Sequence, residues 1–119
     1  MSAGVLVVGH DDTVTEFLTA VLRRGGIDAR SARAEAAAVR ANDDQPSLVL
    51  VDTDLAAVRS IRSLADQKKA AVPIVVLGEE RATPTASDDA LGAGATHYVE
   101  RPIVDTVLVS GIRTILDAG

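Results

Sequence analysis

Short, dense aliphatic runs recur along this chain with longer amphipathic segments between them, and that alternation restricts the fold more than any other feature. Val5 to Val8, Leu48 to Val51 and Ile74 to Leu77 consist only of Val, Leu and Ile and are bounded by polar, Gly or Pro residues. A strand with one face in water alternates apolar with polar residues. A run with no polar residue needs cover on both faces, as in a parallel sheet packed between helices. Asp28 to Ala32 and Thr96 to Val99 read as two weaker strands.

The intervening segments carry helical spacing. Val14, Phe17, Leu18, Val21 and Leu22 form a stripe that stops at Gly25-Gly26. Ala34 to Ala41 predicts a second helix, ended by Asn42-Asp43-Asp44 and Pro46, and Val58, Ile61, Leu64 and Ala65 mark a third. Ser87 to Ala93 fits a short fourth helix capped by Ser87 or Asp88. The fifth follows Pro102, with Asp105 as cap and Val107, Leu108, Ile112, Ile115 and Leu116 facing inward. Strands alternating with helices predict one doubly wound domain over residues 1–119, with functional groups at the carboxyl ends of the strands.

Composition narrows the partners. Of 119 residues, 47% are hydrophobic, enough for one core, yet Phe17 and Tyr98 are the only aromatics, so that core is built from Val, Leu, Ile and Ala. A net charge of -5 argues against a nucleic-acid surface, because phosphate binding depends on clustered Lys and Arg. Without cysteine there is neither disulfide nor thiolate metal site. The apolar strings are far shorter than the roughly 20 residues that span a bilayer, so a cytoplasmic protein with protein partners is expected, with no membrane contact.

The carboxyl ends gather Gly9, His10, Asp11 and Asp12; Asp52, Thr53 and Asp54; Gly78, Glu79 and Glu80; and Glu100, Arg101 and Pro102. Asp52 closes "PSLVLVD", where a carboxylate projects from the sheet edge. An acid there can accept a phosphoryl group when a divalent cation and a nearby basic side chain neutralise the developing charge.

At this point the sequence resembles the receiver domains of bacterial two-component response regulators, over nearly its whole length. "PSLVLVD" resembles the segment leading to the phospho-accepting aspartate, "VPIVVLG" the fourth strand, and "GAGATHYVERPI" the closing Gly-Ala, aromatic, Lys-Pro segment. The resemblance implies the flavodoxin-like (βα)5 fold, a five-stranded parallel sheet in a three-layer sandwich. It assigns Asp52 to the phospho-acceptor position, Gly78 and Tyr98 to the switch positions, and Arg101 to the lysine position. Pro102 follows as the proline usually preceded by a cis bond.

The departures matter more than the matches. On an ungapped register the family's magnesium-binding acid pair falls on Gly9 and His10, one and two places before the conspicuous Asp11 and Asp12. The hydroxyl residue ending the fourth strand is Gly78, and the lysine is Arg101, a longer planar fork. The loop after Asp52 is shortened. Asp52 alone is a poor magnesium site and imidazole suits softer metals, so Asp11 or Asp54 would have to act as surrogate acids.

The expectation is therefore an atypical, degenerate pseudo-receiver, not an enzyme and without a cofactor. It would signal by phosphorylation-independent binding of protein partners, a homodimer included, through the face of the fourth helix, fifth strand and fifth helix. The sequence names no histidine kinase. The alternative is a phosphorylatable receiver in which Asp52 and Asp11 cooperate to hold Mg2+. Plainer roles are a helix N-cap for Asp12, a loop position for His10, edge cover for Tyr98, and a bidentate bridge from Arg101 that masks Asp52. "GHDD" is also similar to cobalamin-binding domains, which place a cobalt-ligating His after the first strand, but Val8 and Thr13 replace the outer Asp and Gly of their motif.

Overall fold

The computed structural model describes residues 4–67, 72–79 and 83–118. Its elements run β1 (Val5–Gly9), α1 (Asp12–Arg24), β2 (Ala29–Arg33), α2 (Ala37–Asp44, entered through a 3-10 turn at Ala34–Ala36), β3 (Leu48–Asp52), α3 (Leu55–Gln67), β4 (Ile74–Leu77), α4 (Ala86–Ala93), β5 (His97–Val99) and α5 (Asp105–Ala118). All strands pair in parallel in the order β2-β1-β3-β4-β5. This is the flavodoxin-like doubly wound fold. No helix among the described residues is long and apolar enough to cross a membrane.

Each aliphatic strand divides its side chains between two cores, as the two-residue period of a strand requires. Leu6, Val8, Val49, Val51, Ile74 and Val76 point to one face and meet Ala37, Val58, Ile61 and Ala90 of α2, α3 and α4. Val5, Val7, Leu48, Leu50, Val75 and Leu77 point to the other and meet Leu18, Val21 and Leu22 of α1 and Leu108 and Ile112 of α5. The layers differ in bulk: seven of the fifteen buried residues in the first cluster are Ala, against one of thirteen in the second.

Side-chain hydrogen bonds tie the connections down. Arg62 on α3 donates to the carbonyls of Gly94 (3.0 Å) and Val72 (2.8 Å), joining the ends of α4 and β4. Thr96, read from sequence as part of the last strand, precedes β5. Its hydroxyl instead bonds both the amide and the carbonyl of Ile74, each at 3.0 Å.

Several sequence expectations need correction. Phe17 and Val107, placed on inward stripes, are 54% and 67% exposed. The inward face of α1 also takes Thr15 and Thr19, which are buried, and Thr19 satisfies its hydroxyl on the Thr15 carbonyl at 2.6 Å. The cap of α1 is Asp11, not Asp12: Asp11 accepts from the amides of Thr13 (2.9 Å) and Val14 (3.4 Å), whereas Asp12 is the first helical residue. α2 continues to Asp44 and stops at Gln45 in the left-handed region. Neither Ser87 nor Asp88 caps α4, which begins at Ala86 after Thr85 without a side-chain cap. Asp105 is the first residue of α5, where its charge complements the helix dipole.

Candidate functional site

β1 and β3 are neighbours, yet the helices that follow them lie on opposite faces of the sheet. A crevice opens where the winding reverses, beyond the carboxyl ends of these strands. The last residues of β1 and β3 are Gly9 and Asp52, and Gly78 and Arg101 follow β4 and β5. The fold thus brings Gly9, Asp52, Gly78 and Arg101 to one rim.

Asp52 is the acid of this rim, with only 13% of its side chain exposed. Arg101, 16% exposed, donates from Nη2 to Asp52 Oδ1 at 2.7 Å. The fork is split rather than bidentate on the carboxylate, as the sequence reading had it, because Nη1 donates to the Gly78 carbonyl at 2.6 Å. One guanidinium therefore links β3, β4 and the segment after β5. The peptide bond between Arg101 and Pro102 is cis. Charge-assisted bonds at this depth are screened less than surface pairs and hold the carboxylate in a fixed orientation.

Gly9 has no room for a side chain at this edge of the sheet. A Cβ on Gly9 would lie 2.8 Å from Thr15 Cγ2, closer than real Cβ atoms approach, and 3.2 Å from Asp52 Cβ, a tight contact. Sequence reasoning missed Thr15, since hydrophobic periodicity discounts a threonine. Its signal was the bare Gly9, which leaves a gap at the sheet edge that a neighbouring helix must fill.

The surrogate acids are committed elsewhere. Asp11 caps α1 through Oδ1. Asp54 accepts from the Ala57 amide through Oδ1 (3.1 Å), supporting the start of α3, and pairs through Oδ2 with His10 Nε2 at 2.6 Å. His10 lies in the loop after β1, 70% exposed. Asp12 meets Arg33 at 3.3 Å across solvent, with 60% and 58% of their side chains exposed. Such surface pairs contribute little.

This donor set does not fit magnesium, which asks for several hard oxygens in octahedral geometry. Asp52 already faces a guanidinium, the nearest alternative carboxylates serve helix ends, and among the described residues no three His, Cys, Asp or Glu side chains converge. Glu80 lies outside the described residues.

At the β4 end, Gly78 is buried beneath the Tyr98 ring. A Cβ on Gly78 would overlap the Tyr98 hydroxyl and lie 2.5 Å from Cζ. The hydroxyl itself is buried without a hydrogen-bond partner among the described residues. Beyond the ring, a groove between β5 and α5 is lined by Tyr98, Val99, Ile103, Val104 and Val107. Val104 and Val107 are 60% and 67% exposed, and Leu91 on α4 is 46% exposed.

No family model matches the sequence, and no curated protein matches it either. Solved structures do. A Chloroflexus aurantiacus protein assigned as a response regulator aligns over 98% of this chain and 99% of its own, at 27% identity and a TM-score of 0.82. The receiver domain of NtrX from Brucella abortus aligns over 97% and 99%, at 22% identity and 0.81. The chemotaxis protein CheY4 of Vibrio cholerae aligns over 97% and 99%, at 18% identity and 0.82. This chain has the fold of receiver domains throughout its described length.

Proposed function

We propose that the protein is a receiver-type signalling domain that acts by binding other proteins without being phosphorylated. The observation that carries this reading is the Arg101 fork on Asp52 and on the Gly78 carbonyl. Phosphoryl transfer to an aspartate needs a divalent cation touching both acceptor and incoming phosphate, and a carboxylate free to attack. Here Arg101 holds Asp52, Thr15 packs against Gly9 and leaves no room for a carboxylate there, and Asp11 and Asp54 hold helix ends. Bringing either surrogate to Asp52 would strip a cap worth about 1 kcal/mol before any metal bound.

The binding surface in this reading is the face of α4, β5 and α5. It combines exposed Leu91, Val104 and Val107 with a groove beside a three-residue edge strand. A partner protein or a second copy of the chain fits such a face, and sedimentation of V107D against the unchanged protein separates the two. Loss of a dimer assigns the face to self-association. A protein that sediments as a monomer with and without the change excludes self-association through this face.

The competing reading is a working receiver whose Asp52 accepts a phosphoryl group with altered ligands. Treatment with acetyl phosphate, or with beryllofluoride and magnesium, distinguishes them. The proposal expects no added mass and no amide shifts around Asp52. A phosphoryl adduct on Asp52 that disappears in D52N would overturn it.

A further inference from the structure

From the contact between His10 and Asp54 we infer a strap that closes the crevice over the one free oxygen of Asp52. Arg101 holds Oδ1, but Oδ2 has no hydrogen-bond partner among the described residues and is turned toward the end of β1, 3.7 Å from where a Cβ on Gly9 would stand. An oxygen placed there meets whatever enters between β1 and β3. Yet the Asp52 side chain is only 13% exposed.

The chain leaves β1 and β3 toward opposite layers, so the loops that follow flank the crevice. His10 follows Gly9 on one flank, and Asp54 lies two residues past Asp52 on the other. His10 Nε2 reaches Asp54 Oδ2 at 2.6 Å, a contact that spans the gap. A carboxylate only accepts, so Nε2 carries the proton of this bond. The outer member of the pair is 70% exposed and the inner member 12%, with solvent above the bond and the rim of the sheet beneath it.

Both ends of the strap are anchored. Thr53 has a φ of 60°, a left-handed conformation that β-branched residues rarely adopt, and the Asp54 amide donates to the Asp52 carbonyl at 2.8 Å, so the chain doubles back sharply beside the acid. Strain of this kind persists only where its surroundings fix it. Asp54 Oδ1 is held by the Ala57 amide at 3.1 Å, which leaves Oδ2 for His10. On the other flank Asp11, next to His10, caps α1. One contact therefore joins the starts of α1 and α3, which lie in different layers, and Asp52 is shut twice: by Arg101 on Oδ1 and by the strap over Oδ2. This deepens the preceding reading by naming what controls access to Asp52, and it rests on that reading for the role of the site, not for the strap itself.

Carboxyl labelling reads the strap directly. A free carboxylate oxygen attacks a water-soluble carbodiimide, and glycinamide then displaces the urea to leave an amide, which peptide mass spectrometry detects. Asp88, exposed on α4, serves as the reference. Asp52 is expected to label far more slowly than Asp88 in the unchanged protein. H10A should raise its labelling several-fold with the far-ultraviolet circular dichroism retained, and H10Q, whose side-chain amide can donate to Asp54 in place of the imidazole, should not. The amides of Ala57 and Val58, across the crevice from position 10, should exchange with deuterium faster in H10A and not in H10Q. A histidine that merely occupied a loop would move neither reading.

Asp52 labelling as readily as Asp88 in the unchanged protein, or no faster in a folded H10A, would overturn the inference. A measurement on the unchanged protein covers the case of a variant that fails to fold: in the neutral form of His10, a long-range proton–nitrogen spectrum should place the ring proton on Nε2, and a proton on Nδ1 overturns the strap. A phosphoryl adduct on Asp52 of the unchanged protein would sink the preceding proposal, whereas the tautomer and the contrast between H10A and H10Q test the strap alone, so the two failures are distinguishable.

Discussion

Arg101 and Asp11 show how much single side chains decide in this molecule. Arg101 holds a mostly buried carboxylate and a strand-end carbonyl at once, so R101M leaves Asp52 charged and unpartnered. Loss of a hydrogen bond to a charged group of this kind costs about 1.5–3 kcal/mol, and urea unfolding of R101M is expected to show a loss in that range. Restoring neutrality with R101M/D52N should recover part of it. Asp11 accepts two amides at the start of α1, whereas Asp12 only faces solvent and Arg33. D11A is expected to cost about 1 kcal/mol, and D12A less than about 0.5 kcal/mol. Equal effects would contradict the capping assignment. Local sequence could not separate these neighbours, since either acid has the composition of a cap. The choice depends on which backbone turns first into helical angles.

At the scale of elements, the strands were legible and the faces of the helices less so. Val5 to Val8, Leu48 to Val51 and Ile74 to Leu77 announced themselves because burial on both faces removes every polar residue. The stripe on α1 misled because Thr15 and Thr19, which face the core, do not count as hydrophobic, while Phe17 counts strongly and faces water. Counting the threonines rotates the buried face away from Phe17. Thermal unfolding should report this phase: F17K is expected to stay within about 0.5 kcal/mol of the unchanged protein, and L18A to lose about 2–5 kcal/mol. The same contrast is expected on α5 between V107K and L108A. At the rim, the positions Gly9, Asp52, Gly78 and Arg101 were readable from order along the chain, but the Thr15 filling and the split of the Arg101 fork were not. Both depend on side chains from other elements converging there.

For the whole molecule, both cores are built on one sheet, and no strand can leave without opening the two together. Urea unfolding is therefore expected as one transition, with circular dichroism and Tyr98 fluorescence coinciding, as for most domains of this size. Separate midpoints would show that the β5 edge, where Tyr98 sits, opens by itself.

The unequal bulk of the two cores adds a direction to this. The layer of α2, α3 and α4 is seated largely on alanines, and α2 and α4 are eight residues each, whereas α1 and α5 press Leu, Ile and Val onto the other face. Less apolar area per helix means less free energy opposing local opening. Amide hydrogens of α2 and α4 should exchange with deuterium before those of α1 and α5, and the strands β1 and β3 last of all. The sheet then behaves as a keel with one heavy side and one light one, and the light side includes α4, the helix that borders the proposed partner face.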